Sequence, residues 1–345
     1  VSDLAFVTGG TGFVGASLVR LLLDEGLRVR CLARPGSDHS NLKGLSVELI
    51  EGDLLDRASL ARGCEGVRYA FHAAADYRIW VPDAREMYRT NVDGSVNVLR
   101  AAAAAGAERI VHCSSVAAIK PPSADGSSTE TDAYADDAAI VGVYKKSKWR
   151  AEQAALALAA EGLPVVVVNP TAPIGPRDIK PTPTGKIVVD FLNRKMPSYI
   201  DTGLNVVDVR DVASGHWLAA KKGRVGERYI LGGENMTLKA ILDGLAFLTG
   251  LRAPRFKTPY AVAWLVGAVD SARLSMFGGT PVAPLDAVRM ARCRMYYDAS
   301  KARRELGFSP RPAREALAAA VNWFCANGYA PRPPQFPRLS EESER

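Results

Sequence analysis

Tyr144 and Lys148 lie four residues apart in the run Tyr144-Lys145-Lys146-Ser147-Lys148. On a helix that spacing stacks the two side chains one turn apart on one face. A tyrosine titrates near pKa ~10, too high for ready proton exchange at neutral pH. A neighbouring ammonium, joined by the positive ring of an oxidised nicotinamide, favours the phenolate and lowers that pKa. Tyr144 can then exchange a proton with a substrate oxygen while a hydride moves to or from the cofactor. Lys148 would also bind the nicotinamide ribose. The YxxxK pattern alone is common on helix surfaces, so its weight comes from its neighbours. Ser114-Ser115 closes the apolar run Ile110 to Ser114, which reads as a strand. At that strand end Ser115 can donate a hydrogen bond to the substrate oxygen as charge develops. Ser114 takes the role if the strand ends one residue earlier.

A second group of residues reads as a cofactor site. The strand Leu4 to Thr8 runs into Gly9-Gly10-Thr11-Gly12-Phe13-Val14-Gly15, where a helix begins. Glycines spaced by three between a strand and a helix make a turn tight enough for backbone to approach a pyrophosphate. The helix N-terminus then presents unpaired N–H groups and the positive end of its dipole. The second strand ends at Ala33-Arg34, nineteen residues past Gly15. A carboxylate there would bind the ribose hydroxyls of NAD. Arg34 instead suits the 2′-phosphate, so NADP is expected and NAD is the less favoured cofactor. Asp53, in Glu51-Gly52-Asp53-Leu54, either reaches the adenine amino group or caps its own loop.

Positioning these residues requires a particular order of elements. Strands are expected at Leu4 to Thr8, Val29 to Ala33, Val47 to Glu51, Ala70 to Ala73, Ile110 to Ser114 and Val165 to Asn169. Helices are expected at Phe13 to Glu25, Ala84 to Ala105 and Val143 to Ala160. Continuous apolar strands alternating with helices predict an α/β fold: a doubly wound parallel (Rossmann) sheet covered on both faces. Its C-terminal strand ends line the ligand crevice. Pro170, Pro173, Pro176, Pro181 and Pro183 then predict a stiff loop without regular structure. Val206 to Val209 and Arg228 to Leu231 read as returns to the sheet. The chain divides into a cofactor domain, 1–170 plus 206–233, and a smaller, mainly helical substrate domain, 171–205 and 234–330. Residues 331–345 are expected to form a loose tail.

These motifs together resemble a known family. The glycine fingerprint, Gly52-Asp53-Leu54, His72-Ala73-Ala74-Ala75, Asn91-Val92-Asp93-Gly94, Ser114-Ser115, Tyr144 with Lys148, and Asn169-Pro170 match, in order, the extended short-chain dehydrogenase/reductases. The resemblance is strongest to their dihydroflavonol 4-reductase-like branch. Within it, His72 to Trp80 and Val168 to Thr184 are similar to the hopanoid-associated sugar epimerases. The resemblance implies that Ala73, Ala74, Ala75 and Asn91 sit against the cofactor, with Leu54 and Pro170 in the same binding set. From its residue type alone, Asn91 reads as a helix-surface or packing position. Nucleotide-sugar epimerases of this family usually carry an acidic residue after the second strand and hold NAD permanently. This chain has Arg34 there, which fits net reduction by a dissociable NADPH better.

Composition narrows the function further. The chain has 345 residues, 48% of them hydrophobic and 23% charged, an ordinary balance for a folded protein. Its formal charge of +7 comes from scattered residues with no recognition motif, which argues against nucleic-acid binding. The five cysteines form no CxxC pair and the four histidines show no metal spacing, so reduced thiols and no metal site are expected. No signal peptide precedes the first strand, which leads to a cytoplasmic expectation. Tyr260 to Phe277 is strongly apolar, but Asp270 and Arg273 interrupt it. It is expected not to span a membrane, and either to cover a greasy pocket or to touch a membrane surface.

The leading expectation is an NADP(H)-dependent oxidoreductase acting on a secondary alcohol or ketone of a lipid-linked or terpenoid polyol. Its pocket would draw on Tyr77, Trp80 and Arg177 to Lys180. The alternative is a sugar 4-epimerase without net cofactor turnover. A redox-sensing module that has lost its chemistry is disfavoured by the intact Ser115, Tyr144 and Lys148. The apolar faces of the Ala84 to Ala105 and Val143 to Ala160 helices are explained equally well by pairing in a homodimer and by packing inside the monomer.

Overall fold

The computed structural model describes residues 2–78, 81–123, 126–277 and 285–333. In chain order its first half runs β1 (Leu4–Thr8), α1 (Phe13–Asp24), β2 (Arg28–Ala33), β3 (Val47–Glu51), α2 (Arg57–Cys64), β4 (Tyr69–His72), α3 (Ala84–Tyr88), α4 (Gly94–Ala104), β5 (Arg109–Cys113), α5 (Val143–Ala160) and β6 (Val165–Pro170). The second half runs β7 (Ala172–Ile174), α6 (Pro183–Leu192), β8 (Ser198–Tyr199), β9 (Gly203–Asp208), α7 (Val209–Lys222), β10 (Arg228–Leu231), β11 (Glu234–Thr237), α8 (Leu238–Thr249), β12 (Phe256–Lys257), α9 (Tyr260–Phe277), α10 (Leu285–Met290), α11 (Ser300–Leu306) and α12 (Ala313–Ala326).

Seven strands form one parallel sheet in the order β10-β6-β5-β4-β1-β2-β3. The chain starts in the middle of this sheet, winds outward one way and then returns to wind the other way. The switch between β1 and β4 opens the crevice where dinucleotides bind in such folds. Side chains alternate between two cores because successive strand residues point to opposite faces. Ala5 and Val7 join Leu18, Leu22, Phe71 and Tyr229 under α1 and α7. Leu4 and Phe6 join Leu60, Val98, Leu99 and Ala155 under α2, α4 and α5. A third core, with Ile174, Phe191, Ile241, Leu245, Leu317 and Phe324, belongs to the C-terminal helical part.

Three expectations need correction. Val206 to Val209 does not return to the main sheet: β9 pairs with β7 and β11 in a separate three-stranded sheet. The apolar pattern there satisfies the third core instead, through the buried Val206. Arg228 to Leu231 does return, as β10 beside β6. The proline-rich loop holds a short strand, β7, in which Pro173 is tolerated because β7 is an edge strand. The predicted helix Ala84 to Ala105 is divided by a π-helical turn, Arg89–Asp93. α2, too polar to stand out by periodicity, begins at Asp56, whose carboxylate accepts from Ala58 N. Of the expected tail, residues 331–333 follow α12 closely, with Arg332 Nη2 donating to Asn322 Oδ1 at 3.2 Å. Residues 334–345 and Trp80 lie outside the described residues.

Sheet and catalytic helix are locked by a buried ion pair. Glu152, fully buried on α5, meets Arg228 of β10 at 2.6 Å. Its other oxygen accepts from Asn169 Nδ2 on β6, and Arg228 Nη2 also donates to the Glu130 carbonyl. Removing one partner strands a buried charge, whereas neutralising both does not. Arg228→Met is expected to lower the unfolding free energy by about 3–5 kcal/mol. The double change Glu152→Gln with Arg228→Met is expected to recover much of that loss, both read from urea unfolding at neutral pH.

Candidate active site

The glycine turn is built by close approach. Gly9 has φ +75°, and a Cβ there would lie 2.6 Å from Ala74 N. A Cβ on Gly15 would come within 2.0 Å of Gly9 O, so only glycine lets α1 settle on the loop. Gly12 is the helix N-cap, with no side-chain cap and no acidic residue in the first turn. The amides at Phe13 and Val14 therefore meet no competing side-chain acceptor. Thr11 and Gly12 form the outer part of the turn, and the residues present fit a pyrophosphate. Ala73 and Ala74 close the turn from behind, their amides donating to Thr8 O at 3.1 Å and Thr8 Oγ1 at 3.4 Å.

Toward the adenosine end, Arg34 is exposed at the end of β2, and among the described residues it has no ion-pair partner. Ser37 N and Oγ donate to its carbonyl at 3.1 and 2.7 Å, folding the turn that carries it. Asp53 Oδ1 accepts from Leu55 N at 2.9 Å, which is the loop-cap arrangement. Leu54 is buried against Gly94, where a Cβ would come within 2.9 Å of it. Pro170 ends β6 beside Leu231.

At the other end of the crevice, Tyr144 opens the first turn of α5, Lys148 lies one turn on, and Glu152 one turn beyond that. β5 ends at Cys113, one residue earlier than expected, but the role does not pass to Ser114: Ser114 is buried, and Ser115 is the serine that hydrogen-bonds Tyr144. Burial pushes the Tyr144 phenol up to about 12, and the Ser115 hydrogen bond pulls against that rise. Ser115 Oγ also accepts from Ala117 N at 3.1 Å. Lys148 is buried and donates to the Cys113 carbonyl at 2.8 Å. Burial lowers its pKa, while Cys113 and Glu152 hold it up. In the protein itself burial outweighs the expected lowering of Tyr144 by Lys148.

A chain of hydrogen bonds joins the two ends. Thr8 Oγ1 meets His72 Nδ1 at 2.7 Å, and His72 Nε2 meets Ser95 Oγ at 2.8 Å. Ser95 Oγ donates to the Asn91 carbonyl. Since that spends the Ser95 proton, His72 must donate through Nε2 and accept at Nδ1. Burial and the nearby Lys148 push the His72 pKa down to about 3, consistent with a neutral ring. Asn91 then donates to Ser147 Oγ at 2.8 Å and to Asp76 O at 2.9 Å, and accepts from Asp76 N at 2.7 Å. Its side chain is buried and hydrogen-bonded within the protein, and it ties α5 to the loop after β4.

Burial raises the Tyr77 phenol, and the charge of Asp178 in the 177–180 loop adds to that rise. Arg177 adopts φ +72°, unusual for a side-chain-bearing residue, and its carbonyl accepts from Asn41 Nδ2 at 3.1 Å. The same Nδ2 donates to Thr11 O at 3.1 Å, so Asn41 couples this loop to the glycine turn. Lys180 is near enough to Asp38 to stabilise its carboxylate. The loop therefore leans on the phosphate side of the crevice as well as on Tyr77. Asn41 carried no sequence signal, whereas Asp178 lies within the expected Arg177 to Lys180 stretch. Glu152 carried one: it is the third member of the Tyr144, Lys148 series at four-residue spacing. Among the described residues no cluster could hold a metal ion, and all five cysteines are free thiols.

A glycine turn at a helix N-terminus, with a serine-bonded tyrosine and a buried lysine on the same side of the sheet, is the arrangement of an oxidoreductase that uses a nicotinamide dinucleotide. The chain belongs to the NAD dependent epimerase/dehydratase family, whose profile matches residues 5–232. It is an extended short-chain dehydrogenase/reductase. A protein of Synechocystis sp. named as a dihydroflavonol 4-reductase is 47% identical over 95% of this chain and 96% of its own. Sterol demethylase protein B of Methylococcus capsulatus is 36% identical over 93% of this chain and 98% of its own. The crystal structure of gox2253 superposes with a TM-score of 0.85 at 44% identity, covering 95% of this chain and 100% of that one. A nucleoside-diphosphate-sugar epimerase from Pseudomonas aeruginosa gives 0.81 at 27% identity, covering 96% and 100%.

Two outcomes follow from this geometry. Tyr144→Phe is expected to reduce kcat by about 10²–10⁴-fold while leaving dinucleotide affinity near wild type, measured by steady-state kinetics and calorimetry. Burial raises the Asp178 carboxyl to about 6, against the donors of Thr182. The fold thus favours its neutral form. That stabilisation is full below the unfolded value of about 4 and is lost as pH rises through the folded one. The unfolding free energy of wild type minus that of Asp178→Asn should fall by on the order of 2–3 kcal/mol from acid to neutral pH.

Proposed function

We propose that this protein is an NADPH-dependent reductase of a ketone, or the reverse dehydrogenase of the secondary alcohol, on a terpenoid or other lipid-linked molecule such as a hopanoid-type polyol. The observation that carries the cofactor half is Arg34, exposed at the end of β2 where an NAD enzyme places a carboxylate. The dinucleotide, when bound, supplies the hydride. Tyr144 delivers the proton to the substrate oxygen, Ser115 donates a hydrogen bond to that oxygen, and Lys148 holds the nicotinamide ribose. The lipid half is supported by two relatives: sterol demethylase protein B, and a ketoreductase from Stigmatella aurantiaca named for a farnesyl-bearing dihydroquinoline oxide, 31% identical over 89% of this chain.

The second reading, a sugar 4-epimerase, is favoured by the likeness to the Pseudomonas aeruginosa structure. An epimerase oxidises and then reduces the same substrate, so it keeps its dinucleotide. Titration calorimetry with NADPH and NADH, after assay for co-purified dinucleotide, separates the two. Tight NADPH binding to dinucleotide-free protein is expected, and tightly retained NAD would overturn the reductase reading. Arg34→Asp is expected to weaken NADPH by about 1.5–3 kcal/mol, roughly 10–150-fold, with little effect on NADH.

A further inference from the structure

We infer that the outer face of α9 docks on an anionic lipid bilayer. Val262, Leu265, Val266, Val269 and Met276 fall on one helical stripe, and they are 50, 59, 54, 61 and 70% exposed. Phe256, in β12 just before the helix, is 77% exposed. A helix that is apolar around its circumference belongs in a core or against lipid. Here Ala263 and Asp270 turn inward and the stripe turns out. No helix among the described residues is long and apolar enough to cross a membrane, so α9 would lie in the interface rather than span it.

Charge selects the occupant. Residues 251–297 hold seven basic residues (Arg252, Arg255, Lys257, Arg273, Arg289, Arg292, Arg294) against two acidic ones (Asp270, Asp286), a net +5 of the chain's +7. The first three lead into α9 and the last three flank the end of α10, which packs beside it. The two acids already counted meet Arg273 at 2.9 Å and Arg289 at 3.4 Å, and Asp201, outside the stretch, offsets one further charge between Lys257 at 2.7 Å and Arg294 at 3.7 Å. A groove of about 370 Å³ opens among Lys257, Thr258, Tyr260 and Arg292, at the head of the stripe. A bilayer offers anionic headgroups above hydrocarbon, matching arginines beside an aliphatic face. A second copy would fit poorly, because a two-fold contact through this face sets one basic rim against the other.

The docking is independent of which substrate the crevice takes, since it is read without turnover. The test is flotation of the full chain with vesicles of phosphatidylcholine, or of phosphatidylcholine and phosphatidylglycerol in equal parts. Wild type is expected to bind the anionic vesicles at least about tenfold more tightly, and to lose that preference in high salt. Leu265→Glu with Val269→Glu, both on the surface, is expected to weaken vesicle binding at least about tenfold and to leave calorimetric dinucleotide binding unchanged. No binding by wild type, or equal binding to both vesicle types, would overturn the inference. So would a dimer in light scattering that the double glutamate variant dissociates, which would assign the face to a second copy.

Discussion

The buried ammonium of Lys148 is the constraint around which the site is organised. A cation out of water is costly unless it is hydrogen-bonded and its field is balanced. The chain meets the cost with the Cys113 carbonyl at the end of β5 and with Glu152 one turn along the same helix. Glu152 must then be balanced in turn, which brings in Arg228 and Asn169 from β10 and β6. Lys148 thus draws on a backbone carbonyl of β5 and, through Glu152, on polar residues of β6 and β10. His72 and His112, both buried near Lys148, are held neutral by the same field together with their burial.

The second consequence is rigidity. The crevice joins two halves of a doubly wound sheet, and hydride transfer tolerates little error in the distance between cofactor and substrate. The path from Thr8 through His72, Ser95, Asn91 and Ser147 links the glycine strand to the catalytic helix by side chains that are almost wholly buried. On the other side Asn41 bridges the glycine turn and the Arg177 loop. Neither path touches solvent enough to be exchanged for water at no cost, so both hold the reacting groups in place.

Much of this was legible in the chain before any fold was known. Three of the six predicted strand starts and the bounds of α5 coincide with the structure: β1 and β6 are fully buried runs rich in apolar residues, and long helices repeat their pattern. The glycine turn, Ser115, Tyr144 and Lys148 were legible because their chemistry requires fixed residue types at fixed local spacing. What depended on distant parts of the chain was not. β9 looks like any apolar strand, and only its pairing with β7 and β11 removes it from the main sheet. Asn91 is an ordinary polar residue until the fold sets it between Asp76 and Ser147, fifteen and fifty-six positions away. The Tyr144 phenol also depends on context: local spacing to Lys148 argues for a lowered pKa, while burial in the assembled crevice raises it. Residue type and spacing determined which groups could react, and tertiary burial decided their charge and partners, because desolvation is set by whatever else the chain brings to the same place.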